Sequence, residues 1–122
     1  MKLSRPRRAY APATALVASA ARTTTGASSG VLLPQAGTNV VVHAFVTAAS
    51  GTTPSMVLSV EWSDDGSTWM VSDPSDAFTA ITTTGNTAKT FTRKARFARL
   101  RWTLTGTTPS FTFSAGAYLT GV

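Results

Sequence analysis

The only histidine, His43, and the five carboxylates, Glu61, Asp64, Asp65, Asp73 and Asp76, are the residues from which acid–base or metal chemistry would have to be built. A catalytic triad needs a base held beside its nucleophile. His43 instead sits inside the apolar run of residues 40–46 with no partner that spacing identifies, so a structural place in a strand is expected. The chain has no cysteine, which rules out thiolate nucleophiles, disulfide frameworks and Cys-based zinc sites, and one histidine does not make a zinc cage. The aspartates lack the spacing of an EF-hand loop and fit turns better. Nothing marks Glu61 and an aspartate as a glycosidase pair, and no Gly-rich phosphate-cradling loop is present. The expectation is a non-enzymatic protein with no catalytic residue, cofactor or metal.

The basic residues offer a different chemistry, attraction to acidic surfaces. Five of the eleven lysines and arginines, Lys2, Arg5, Arg7, Arg8 and Arg22, fall in residues 1–22, where there is no acidic residue. That segment holds most of the chain's net charge of +6. It also contains Pro6 and Pro12 and leaves through the Thr/Gly/Ser-rich stretch 23–30, a composition that buries too little surface to order itself. Residues 1–30 are therefore expected to be an extended basic arm that contacts other molecules, with a domain over 31–122. Its Ala-rich segment is too weakly apolar for a secretory signal and reads as part of the mature protein. A second cluster, Arg93, Lys94, Arg96, Arg99 and Arg101, is interleaved with Phe91, Phe97 and Trp102. Alternation puts Arg99 and Arg101 on the face opposite Ala98, Leu100, Trp102 and Leu104, and with Arg96 from the same cluster they are the candidate partner-binding residues of this strand.

These cations must be carried by strands. Charged residues are only 13% of the chain, and threonine dominates the polar ones, which suits pleated, half-buried surfaces. Val40, Val42, Ala44 and Val46 alternate with His43 and Phe45. Met56, Leu58, Val60 and Trp62 alternate with Val57, Ser59 and Glu61. Asp64-Asp65-Gly66-Ser67 predicts a hairpin returning at Trp69. Weaker strands are expected over 78–82 and 89–92, and stronger ones over 95–105 and from Phe111 to Ala115. Gly51-Thr52-Thr53-Pro54-Ser55 recurs as Gly106-Thr107-Thr108-Pro109-Ser110, and both copies read as turns between strands. The sum is an all-β, antiparallel sandwich of jelly-roll type, with Trp62 and Trp102 buried in one core. No apolar run approaches the length of a membrane-spanning helix.

Two resemblances follow. The segment from Val57 to Trp69, with Ser63-Asp64-Asp65-Gly66-Ser67-Thr68-Trp69, and Ala95-Arg96-Phe97-Ala98-Arg99-Leu100-Arg101-Trp102 resemble the core of discoidin-type jelly rolls. That likeness implies a carbohydrate- or lipid-binding module, although the chain is short for the family and lacks its terminal cysteines. The wider pattern from Val40 to Ala115, with both Gly-Thr-Thr-Pro-Ser segments and Ser110-Phe111-Thr112-Phe113-Ser114, resembles small β-rich accessory virion proteins of tailed bacteriophages. It implies a capsid decoration protein in the virion, binding the major capsid protein or other virion proteins, as a homo-oligomer or in many copies per particle. A head-to-tail connector or tail component is the next expectation. Nucleic acid is a less favoured partner than protein, and a membrane is not expected.

Overall fold

The computed structural model describes residues 14–33, 37–70 and 74–120. Six strands run in chain order: β1 (Thr14–Arg22), β2 (Gly26–Ala27), β3 (Val31–Leu32), β4 (Asn39–Ser63), β5 (Gly85–Thr92) and β6 (Phe97–Thr120). Among the described residues a single 3-10 turn, Pro74–Asp76, interrupts the second half. Every strand pairing is antiparallel.

The scaffold is one long ribbon. β4 and β6 pair along their whole lengths, from Asn39 opposite Thr120 to Ser63 opposite Phe97. Apolar alternation drives both strands, but the two Gly-Thr-Thr-Pro-Ser segments do not reverse the chain as expected. They lie against each other in the middle of the ribbon, where Thr52 pairs with Thr107 and Ser55 with Thr105, with register shifts between. Gly51 (φ 118°) and Gly106 (φ 111°) take conformations disfavoured for other residues, and Thr53 (φ 47°) and Thr108 (φ 46°) enter the left-handed region beside them. Turn chemistry placed in both partners at one level bends the pair together.

The bend doubles the ribbon over. Trp102 and Phe113 lie eleven residues apart on β6, a separation of about 36 Å in a straight strand. Their ring centroids are 5.7 Å apart, edge to face. The two halves of the ribbon thus become the two layers of a sandwich, the arrangement in which strands change sheets at a bend. In layer one the order is β1, the C-terminal half of β6, the N-terminal half of β4, then β5. In layer two β2 and β3 flank the N-terminal half of β6, which pairs with the C-terminal half of β4. One core lies between, with Val40, Val42, Leu58, Val60, Trp62, Phe91, Leu100, Trp102, Phe111 and Phe113 all buried. The expected joint burial of Trp62 and Trp102 is what the structure shows, at 2% and 6% exposure.

Several expectations are corrected. The expected strands at 40–47 and 56–62 are one strand, β4. Among the described residues, Trp69 and Met70 are not part of a strand. Asp65 draws the loop into a closed turn instead, and Met70 N donates to Trp62 O at 2.9 Å. Residues 78–82 form no strand, but Ala77 and Ile81 make isolated bridges to Ser59 and Met56 along the edge of β4. Most consequentially, residues 14–30 of the arm expected over 1–30 are strands and connections of the sheet. β1 pairs with β6 from Thr14–Ala117 to Arg22–Phe111, β2 pairs at Trp102, and Val17 is buried. A boundary at residue 30 therefore cuts through the sheet. Small side chains bury little area, but the backbone still completes a ladder, a term that composition does not register. Lys2, Arg5, Arg7 and Arg8 lie outside the described residues.

Candidate functional site

Of the expected strand-face cations, Arg99 and Arg101 lie on the outer face of layer two, whereas Arg96 sits in the bend just before β6. In the β4–β6 ladder Glu61 stands opposite Arg99 and Ser59 opposite Arg101, while Ala27 of β2 flanks Arg101 on its other side. Arg99 Nε donates to Glu61 Oε1 at 2.7 Å, and its guanidinium lies over the Trp69 ring, 4.5 Å from the centroid. The pair is 24% and 13% exposed, a partly solvated ion pair worth on the order of 1 kcal/mol or less. Arg96 donates from Nε and Nη2 to the Asp64 carbonyl at 3.3 and 3.2 Å. Arg101, between two small neighbours, has no hydrogen-bond or ion-pair partner among the described residues. Of the three expected face residues, two are engaged within the chain and Arg101 is free to meet a partner's anion.

The loop after β4 builds this face. Ser63 Oγ accepts from Gly66 N at 2.9 Å and donates to Asp65 Oδ1 at 2.9 Å, while Ser67 N and Thr68 N both donate to Asp65 Oδ1 at 2.8 Å. Hydrogen bonds from the Thr68 and Ser67 backbone, then from Ser63, stabilise the carboxylate and lower the pKa of Asp65 from 3.8 to about 2. The turn carries Trp69 back over Gly30 and Arg99, where a Cβ on Gly30 would come within 2.5 Å of the indole.

Arg22, expected in the arm, is placed at the end of β1. Its guanidinium lies 4.9 Å from the Trp102 ring centroid and its Nη2 donates to Ala18 O at 3.1 Å. It belongs to the packing where the chain crosses between layers, and Trp102 Nε1 donates to Thr24 O at 3.1 Å nearby.

The outer face of layer one carries a patch that charge counting overlooks. His43 stacks on Phe45, centroids 5.3 Å apart, and lies 6.4 Å from Tyr118. The imidazole rests on Gly116, where a Cβ would be 2.9 Å from its Cε1. Its Nδ1 is buried without a hydrogen-bond partner among the described residues, and Phe45 is 42% exposed. The signal was the period-two alternation that puts His43 and Phe45 together on the face away from the core. The far end of the sandwich holds an apolar cavity of about 220 Å³ between the layers, lined by Val31, Leu33, Val60 and Leu119 among others.

Asp76 is buried, accepting from Trp62 Nε1 at 2.9 Å and pairing with Lys94 Nζ at 2.9 Å. This clip ties the 3-10 turn and the β5–β6 connection to the core. Among the described residues no three His, Cys, Asp or Glu side chains cluster as metal ligands.

Comparison with known proteins bears on the fold. The structure is similar to the crystal structure of PBSX exported protein XepA, with a TM-score of 0.64 and 19% sequence identity over 91% of this chain. The likeness is one of architecture. It spans 37% of XepA, so the chain corresponds to little more than a third of that protein. No protein-family model and no curated protein matches the sequence. Among the described residues no helix is long and apolar enough to cross a membrane.

Proposed function

We propose that the chain is a non-enzymatic structural protein of a phage particle, a decoration protein that binds the acidic surface of the head shell. The observation that supports this reading best is the fold it shares with XepA, a phage-derived protein. The charge distribution agrees with it: residues 1–22 carry five basic side chains and no acid, and Arg101, without an ion-pair partner among the described residues, adds a cation on the outer face of layer two. Positive charge speeds association with acidic surfaces and makes it sensitive to salt. The β4–β6 ribbon presents Arg101 from a paired strand.

The test is binding of the purified chain to phage shells, full and emptied of genome, across a salt series. Equal binding to both that weakens with salt supports a protein partner, and Arg101→Glu is expected to weaken it without unfolding the domain. Loss on empty shells alone transfers the interaction to nucleic acid, and no binding to either rejects decoration. A second reading, a phage-encoded protein released from the cell instead of built into the particle, is favoured by XepA being an exported protein.

A further inference from the structure

Sheets protect their edges with coverings, short strands, bulges or charges, because an exposed, regular edge pairs with other strands. Three of the four edges here are protected. The β4 edge of layer two is covered by residues 77–81, with Phe78 N donating to Leu58 O and Ile81 N to Met56 O, both at 2.8 Å. Its other edge consists of β2 and β3, two residues each. In layer one, β1 is broken by register shifts between Ala15 and Val17 and between Val17 and Ala20.

β5 is different. Its eight residues pair with β4 in unbroken register, from Thr92 opposite Asn39 to Gly85 opposite Val46, and no described strand lies on its other side. Its only charge, Lys89, does not guard the edge. The ammonium reaches to Ala77 O at 2.7 Å and lies 5.7 Å from the Phe91 ring centroid, drawn back over the side of the sandwich.

We propose that β5 pairs with β5 of a second copy of this chain, antiparallel about a two-fold axis, joining two four-stranded layers into one continuous sheet. Buried Phe91 sets the parity: Thr87 and Lys89 share its face, whereas Asn86, Ala88 and Thr90 share the outer face with His43, which stands opposite Ala88. A two-fold axis through the sheet sets residues of like parity opposite one another. Centred on Lys89 it would oppose two ammonium groups, which is unfavourable. Centred on Ala88 it places Lys89 opposite the second copy's Thr87 and Thr90 opposite its Asn86, with no like charges opposed. The strand is self-complementary in that register, which favours a second copy over a foreign strand. This inference stands apart from the phage reading.

The absence of cysteine makes the test clean. Ala88 and Thr90 are both exposed, so Ala88→Cys and Thr90→Cys are expected to fold, as circular dichroism will verify. Directly opposed residues of an antiparallel pair have Cα atoms about 4.5–5.5 Å apart, within disulfide reach. Two copies of residue 90 would be displaced by four positions, about 13 Å along the strand, and out of reach. Covalent trapping suits an edge contact smaller than the standard interface of about 1,600 Å². Under mild oxidation, Ala88→Cys is expected to give a disulfide dimer and Thr90→Cys to stay monomeric. A monomeric Ala88→Cys protein, or equal cross-linking at both positions, overturns the proposal.

Discussion

Replacing Gly106 with alanine tests the paired bend on which both layers depend. The added Cβ would lie 2.6 Å from Thr53 O, 2.9 Å from Thr52 O and 3.1 Å from Pro54 Cα. All three are backbone atoms of the facing strand, so no side-chain rotation relieves the contact. The φ of 111° adds conformational strain for any residue with a Cβ. Strain of about 1–3 kcal/mol and overpacking of about 1–3 kcal/mol together give about 2–6 kcal/mol. A typical domain's total stability is about 5–15 kcal/mol, so the variant is expected to be severely destabilised. Urea unfolding followed by tryptophan fluorescence should show the midpoint fall by about 1–3 M for an m-value near 2 kcal/mol/M. Gly51→Ala, whose Cβ would meet Thr108 O at 2.8 Å, is expected to behave alike. A Gly106→Ala protein within about 0.5 kcal/mol of the parent, the usual range for neutral surface changes, would refute the paired bend.

Trp62→Ala and Trp102→Ala should each lose about 3–5 kcal/mol in the same unfolding assay. Trp62→Phe should lose about 1–3 kcal/mol, because Asp76 keeps Lys94 but loses its indole donor. Deleting residues 1–32 should abolish the native circular dichroism spectrum, since it removes β1, β2, β3 and buried Val17; a folded product would contradict the described pairing. Asp65 contributes stability that is present above its unfolded pKa of 3.8 and lost as pH falls through its folded value of about 2. Asp65→Asn should remove that component of the acid transition, read as a reduced slope of stability against pH between about 4 and 2.

The core was legible because alternation carries it. Met56, Leu58, Val60 and Trp62, and Ala98, Leu100 and Trp102, face the interior as their period predicts. The ribbon was not legible, because Gly-Thr-Thr-Pro-Ser has the same chemistry whether it reverses one chain or bends two paired chains. Only the facing partner decides, and that contact is fifty-five residues away in sequence. β1 was missed for a related reason: its Ala-rich side chains bury little, and its order comes from backbone pairing with β6. At the candidate site, alternation put Arg99 and Arg101 on the outer face, while Arg96, of the opposite parity, lies in the bend before β6. It could not show that Glu61 and Trp69 engage Arg99 and the Asp64 carbonyl engages Arg96, while Arg101 has no such partner among the described residues.

The most direct measurement of the proposed role is quantitative mass spectrometry of density-gradient-purified particles from cells producing this protein and its phage, with the cleared medium analysed in parallel. The account predicts that the chain migrates with heads in a fixed ratio to the major shell protein and is stripped from them by high salt. Recovery of the chain only in the particle-free medium would contradict it.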